Sequence, residues 1–117
     1  MKYKRSLRVS ELIKREVSII IAEEVKDPWV KNITITFVKL TDDLKHAKIY
    51  YRILGEDPSR EHAAIGLERA NKYIRGEIGQ RAGLRYVPEI QFIYDIGLDD
   101  ADHIEMLLRQ IKSDHDL

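Results

Sequence analysis

The stretch "ITITFVKLTDDLKHAKIYYRIL", residues 33–54, decides how this chain folds. Ile33, Ile35 and Phe37 alternate with Thr34, Thr36 and Val38, while Ala47, Ile49, Tyr51 and Ile53 alternate with Lys48, Tyr50 and Arg52. A period of two in β-branched and aromatic residues marks a strand with one buried face. The intervening Thr41-Asp42-Asp43 supplies turn chemistry, so the stretch predicts an antiparallel hairpin with one wet face.

Upstream, the period changes. Val9, Leu12, Ile13, Val17, Ile20 and Ile21 recur near every 3.6 residues, opposite Glu11, Lys14, Arg15 and Glu23, which predicts an amphipathic helix. Ser6 is the expected cap, and Pro28 sets the end near Val25 by disfavouring helical geometry at Asp27. Downstream, residues 55–59 break the strand pattern, and helical spacing returns with Ala63, Leu67, Ala70, Ile74 and Ile78. Gly66, Gly76 and Gly79 each weaken that helix by about 1 kcal/mol relative to alanine, so a kink or break is expected. Pro88 opens a third strand with Ile90, Phe92 and Tyr94 on one face. Ile104, Leu107, Leu108 and Ile111 predict a C-terminal helix over about 99–112. The order is α-β-β-α-kink-α-β. Helices on one face of a three-stranded sheet would make a two-layer α+β domain, single across 1–117, with its core at about 6–96.

At 117 residues and 44% apolar content, one core is sufficient without staples. With no cysteine there is neither a disulfide nor a thiolate metal site. No apolar run approaches the ~20 residues that cross a membrane. The expectation is a soluble, cytoplasmic monomer. The formal net charge of zero conceals an asymmetry. Residues 1–15 hold six cationic side chains against Glu11 alone, and residues 95–117 hold seven carboxylates against Arg109 and Lys112. One end therefore attracts polyanions and the other repels them.

Catalytic chemistry finds little support. The four histidines show no metal-ligand pairing, no serine sits in a nucleophile elbow, and neither phosphate-binding glycine motif occurs. No enzyme activity, metal or cofactor is expected. Cations are better placed: Arg69, Lys72, Arg75, Arg81 and Arg85 form a series, and Lys48, Tyr50 and Arg52 form a basic–aromatic–basic row on the hairpin. Gly76-Glu77-Ile78-Gly79 has the G-x-x-G spacing of KH domains. Glu77 would repel phosphate and Ile78 continues the buried stripe, so the spacing is read as coincidental.

Taken together, Arg8-Val9, "EEVKDP" (23–28), "ITITFVKLTDDLKHAKIYY" (33–51) and "IRGEIGQRAGLRYVPEIQFIYD" (74–95) resemble the ribosome-binding factor A family. The likeness runs from about Arg8 to Asp95. It implies a fold similar to type II KH domains, with an interhelical kink of sequence Ala-x-Gly in place of the G-x-x-G loop. The kink maps onto Ala70, Asn71 and Lys72, with Lys72 where the family has glycine. Lysine resists a conformation that glycine takes freely, so Asn71, which tolerates left-handed backbone, is the alternative carrier of the bend. The resemblance also implies a ribosome-assembly factor without catalysis or cofactor. It would bind free 30S subunits at 16S rRNA, support late rRNA processing, and matter most in the cold.

The candidate RNA contacts are Lys4, Arg5, Arg8, Lys48, Arg69, Asn71, Lys72, Arg75, Arg81 and Arg85. Arg75 has a second reading, as a structural partner of a carboxylate such as Asp95. Trp29 reads equally as a lid on the core or an exposed recognition residue. A general KH-like binder of single-stranded RNA and a protein–protein adaptor are the alternative functions.

Overall fold

The computed structural model describes residues 2–97 and 108–109, with side chains from residue 5 onward. Five elements follow in order: α1 (Lys2–Glu23), β1 (Ile33–Leu40), β2 (His46–Ile53), α2 (Arg60–Ala82) and β3 (Glu89–Tyr94). The strands form one sheet in the order β1-β2-β3, with β1–β2 antiparallel and β2–β3 parallel. A parallel pair needs a crossover, and α2 supplies it. This is the expected two-layer α+β arrangement. The C-terminal helix expected over 99–112 lies outside the described residues, apart from Leu108 and Arg109, which are helical.

The core lies between the helices and one sheet face. Ile13, Val17, Ile20 and Ile21 of α1 meet Ala63, Leu67, Ile74 and Ile78 of α2 over Ile35, Val38, Leu40, Ala47, Ile49 and Tyr51. Each fully buried isoleucine or leucine contributes roughly 1.5–3 kcal/mol relative to exposure. Helix α1 starts earlier than the sequence suggests. Ser6 is buried inside it, where its carbonyl accepts from Ser10 Oγ at 2.6 Å, so it is not the cap. Favourable helix residues Lys2, Lys4 and Arg5 extend the helix upstream.

The alternation in β1 is interrupted. The register passes from Ile35↔Tyr51 to Phe37↔Tyr50, leaving Thr36 as the extra residue of a β-bulge. One inserted residue exchanges the faces that follow. Val38 and Leu40 therefore join Ile35 in the core, and Phe37 moves to the opposite face. There its ring stacks on Tyr50, with centroids 4.1 Å apart, and Tyr50 is buried. The basic–aromatic–basic row of β2 thus has its aromatic already covered by protein. The bulge also leaves Thr36 Oγ1 buried without a hydrogen-bond partner.

Helix α2 is a single run of 23 residues without the break that its glycines suggested. Ser59 caps it by accepting from His62 N, and Gly83 closes it in a left-handed conformation (φ 63°). Ala70, Asn71 and Lys72 lie inside it, and Asn71 is not left-handed; only Asn32 and Leu44 are so among described non-glycine residues. Burial of Ala63, Leu67, Ile74 and Ile78 outweighs a propensity loss of about 1 kcal/mol per glycine. Two of those glycines also have tertiary roles. A Cβ on Gly66 would stand 2.8 Å from Val30 Cγ2 and 3.2 Å from the Trp29 carbonyl carbon, and one on Gly79 would stand 2.6 Å from Val87 Cγ2. At Gly76 a Cβ meets nothing within 4 Å.

Three substitutions test this account by chemical unfolding. Gly66→Ala should lose about 1–3 kcal/mol through overpacking, although alanine is the better helix former. Gly76→Ala should gain about 0.5–1 kcal/mol. Thr36→Val, which removes an unpaired hydroxyl while keeping its shape, should raise stability by about 1 kcal/mol.

Candidate nucleic-acid interface

Structure sorts the cations by what already holds them. The sharp turn after α1 is built by Asp27, whose Oδ1 accepts from Trp29 N at 2.9 Å and whose carbonyl accepts from Val30 N. That turn lays Trp29 on α2 at Gly66, where its ring stacks flat on His62 (4.0 Å, 1° between planes). Arg69 covers the same ring at 4.7 Å and reaches both Asp27 oxygens at 3.1 and 3.0 Å. Trp29 is therefore the lid, and Arg69 is part of its fastening. Farther along α2, Arg81 pairs with Glu24 and Glu77, while Tyr73 Oη donates to Glu24 Oε1 at 2.7 Å. These interactions tie α2 to the end of α1.

The other flank of α2 is tied to the loop before β3. Asn71 Nδ2 donates to the Ile90 carbonyl at 3.0 Å. Arg75 Nε donates to the Pro88 carbonyl at 3.0 Å and Nη2 to that of Val87 at 2.9 Å, with Glu89 Oε1 3.5 Å away. Arg75 thus takes its structural reading, but with Glu89 and two carbonyls rather than Asp95. The reason is β3's start: Pro88 and Glu89 come up beside the helix, whereas Asp95, at the far end of that strand, accepts from Gly97 N.

Arg5 and Arg8 on α1, Lys72 on α2 and Arg85 in the 83–88 loop are exposed and have no ion pair among the described residues. The Lys4 side chain lies outside the described part of the structure. Lys48 is half-buried in β2, opposite Lys39 and Gln91, at a shallow groove shared with His46.

One groove of about 590 Å³ brings several of these together. Arg5, Arg75, Arg85 and Tyr86 line it with Lys45 and His46 of the hairpin turn, beside Asp43 and Glu89. Four permanent cations against two carboxylates leave it net positive by two with His46 neutral. Lys45, His46 and Tyr86 are not among the RNA contacts expected from sequence, because only the parallel return of β3 beside β2 brings residues 45–46 next to 85–89. Asp43 faces inward to its own turn: its Oδ1 accepts from Thr41 Oγ1 at 2.6 Å and Lys45 N at 3.0 Å. The Thr41 hydroxyl first, then the Lys45 amide, holds its carboxyl below the ordinary aspartate pKa.

A parallel β2–α2–β3 crossover beside an antiparallel hairpin, covered by α1 and α2, defines a KH-like α+β domain. The sequence profile described as ribosome-binding factor A matches residues 5–108. A ribosome-binding factor A of Halothermothrix orenii is 41% identical over 116 residues, covering 99% of this chain and 95% of that protein. The chain belongs to the ribosome-binding factor A family. Among solved structures, the solution structure of a Thermotoga maritima protein described as a ribosome binding factor A matches with a TM-score of 0.69 at 26% identity, covering 83% of this chain and 92% of that one. A homology model of the Thermus thermophilus factor, fitted into the cryo-EM map of a 30S complex of that protein, shares the fold with a TM-score of 0.64 at 22% identity. It covers 75% of this chain and 92% of that one.

Because Arg75 bridges two carbonyls, Arg75→Gln should cost about 1–3 kcal/mol of stability. Urea unfolding followed by the fluorescence of Trp29, the single tryptophan, measures it.

Proposed function

We propose that this chain is a ribosome-assembly factor that binds the free 30S subunit at 16S rRNA and supports late processing and maturation of that RNA. The observation that carries the proposal is membership of the family across residues 5–108, nearly the whole chain. The fitted complex of the Thermus thermophilus relative supports the small subunit as the target. Of the candidate contacts whose side chains are described, Arg5, Arg8, Lys72 and Arg85 are exposed without an ion pair among the described residues, and Lys45 joins Arg5 and Arg85 at the groove. Arg69, Arg75 and Arg81 contribute by fixing the surface on which the others stand.

Cation–phosphate pairing positions a protein on RNA without reading sequence. Selectivity then comes from shape: a folded rRNA junction offers its phosphates in one arrangement, which a rigid set of cations either fits or does not. The factor works as a cytoplasmic monomer and a single domain. Its importance rises at low temperature, where misfolded RNA rearranges slowly. No catalytic step or cofactor is invoked.

Sedimentation of cell extract through a sucrose gradient tests the function. The protein should travel with free small subunits and be absent from intact ribosomes and polysomes; a profile confined to the top of the gradient would overturn the proposal. Arg5→Glu and Lys72→Glu should leave folding intact and weaken subunit binding. The dependence of log K on log salt concentration should flatten by ~0.7–0.9 for each phosphate that no longer meets a cation. Unchanged affinity in both variants would move the binding surface elsewhere.

A further inference from the structure

We propose that the groove between the hairpin turn, the start of α1 and the 83–88 loop takes an unpaired segment of RNA. One base stacks on Tyr86, and the phosphates beside it lie against Arg5, Lys45 and Arg85. This rests on the RNA-binding function above and narrows it to a ligand class and a place.

The charges are the first support. Both carboxylates at the groove are already engaged, Asp43 by Thr41 Oγ1 and Lys45 N, and Glu89 by Arg75. Of the cations there, Arg75 is taken up by the Val87 and Pro88 carbonyls, while Arg5, Lys45 and Arg85 have no ion pair among the described residues. The unspent charge is positive, which fits a polyanion.

The aromatic ring is the second. Tyr86 is 77% exposed, the most open large apolar side chain among the described residues. Its ring has the Arg85 guanidinium 5.5 Å from its centroid, a pairing of cation and ring that suits a phosphate followed by a base. In an A-form duplex the base faces are stacked on one another, so an open ring selects nucleotides that are not paired.

The third support is rigidity. The loop holding Arg85 and Tyr86 begins at left-handed Gly83, is wedged by Val87 against Gly79, and is gripped at Val87 and Pro88 by Arg75. A ring on a clamped loop loses little freedom when a base stacks on it. Arg75 is a positioning residue in this scheme, although its charge also lies at the groove.

The test compares the intact protein with Tyr86→Leu, Arg85→Gln and Lys45→Gln, all changes at exposed side chains, and with Lys26→Gln as a control outside the groove. Two ligands are used in fluorescence anisotropy: a short oligouridylate and an RNA duplex of equal length. The protein should bind the single strand more tightly than the duplex. Tyr86→Leu should weaken single-strand binding on the order of tenfold and leave the duplex unaffected. Arg85→Gln and Lys45→Gln should each flatten the salt dependence by ~0.7, and Lys26→Gln should behave as the parent. Equal affinity for strand and duplex, or full binding by Tyr86→Leu, would overturn the proposal. Sedimentation of the same proteins with purified small subunits separates the two levels. Subunit binding without oligonucleotide binding would reject the groove and keep the ribosomal function. Groove-dependent oligonucleotide binding without subunit binding would do the reverse, and binding to neither would reject both.

Discussion

The close approach of α2 to its neighbours is the constraint on which the rest depends. The helix must cross over the sheet to join two parallel strands, and it must do so near enough to bury Leu67, Ile74 and Ile78. Gly66 admits the Trp29-Val30 corner, and Gly79 admits Val87; a side chain at either place would hold the partner segment away by tenths of an ångström or more. Close-packed interiors transmit such offsets rather than absorbing them. The positions of the α1 exit and of the 83–88 loop both follow from two missing methyl groups.

Charge is distributed by the same geometry. Three arginines of α2 face segments that the helix holds in place, and each is used to secure them: Arg69 at the Asp27 turn, Arg81 at the end of α1, Arg75 at the start of β3. Arg75 bonds to carbonyls in a partly buried place, where charge-assisted hydrogen bonds are worth more than exposed ion pairs. Arg5, Lys45 and Arg85 have no ion pair among the described residues, and they gather where the hairpin turn meets the loop before β3. A chain of zero formal net charge can therefore present a local positive surface.

The order of residues was enough to specify the architecture, because periods of two and 3.6 report which faces are buried whatever the partner is. The hairpin, α1, the third strand and the stripe along α2 all follow from it, as does the family likeness. It misplaced the start of α1 and the faces of β1 beyond Thr36, and it suggested a break that the continuous α2 does not have. Those points are settled by packing in three dimensions. A bulge is invisible until a partner strand fixes register, and a glycine that weakens an isolated helix strengthens a packed one where another backbone must come close. The roles of the arginines were likewise undecided, since a guanidinium has the same spacing in sequence whether it meets a carbonyl 13 residues away, as Arg75 meets Pro88, or only water. Lys45, His46 and Tyr86 became neighbours of Arg85 through a parallel strand pairing that no local pattern encodes.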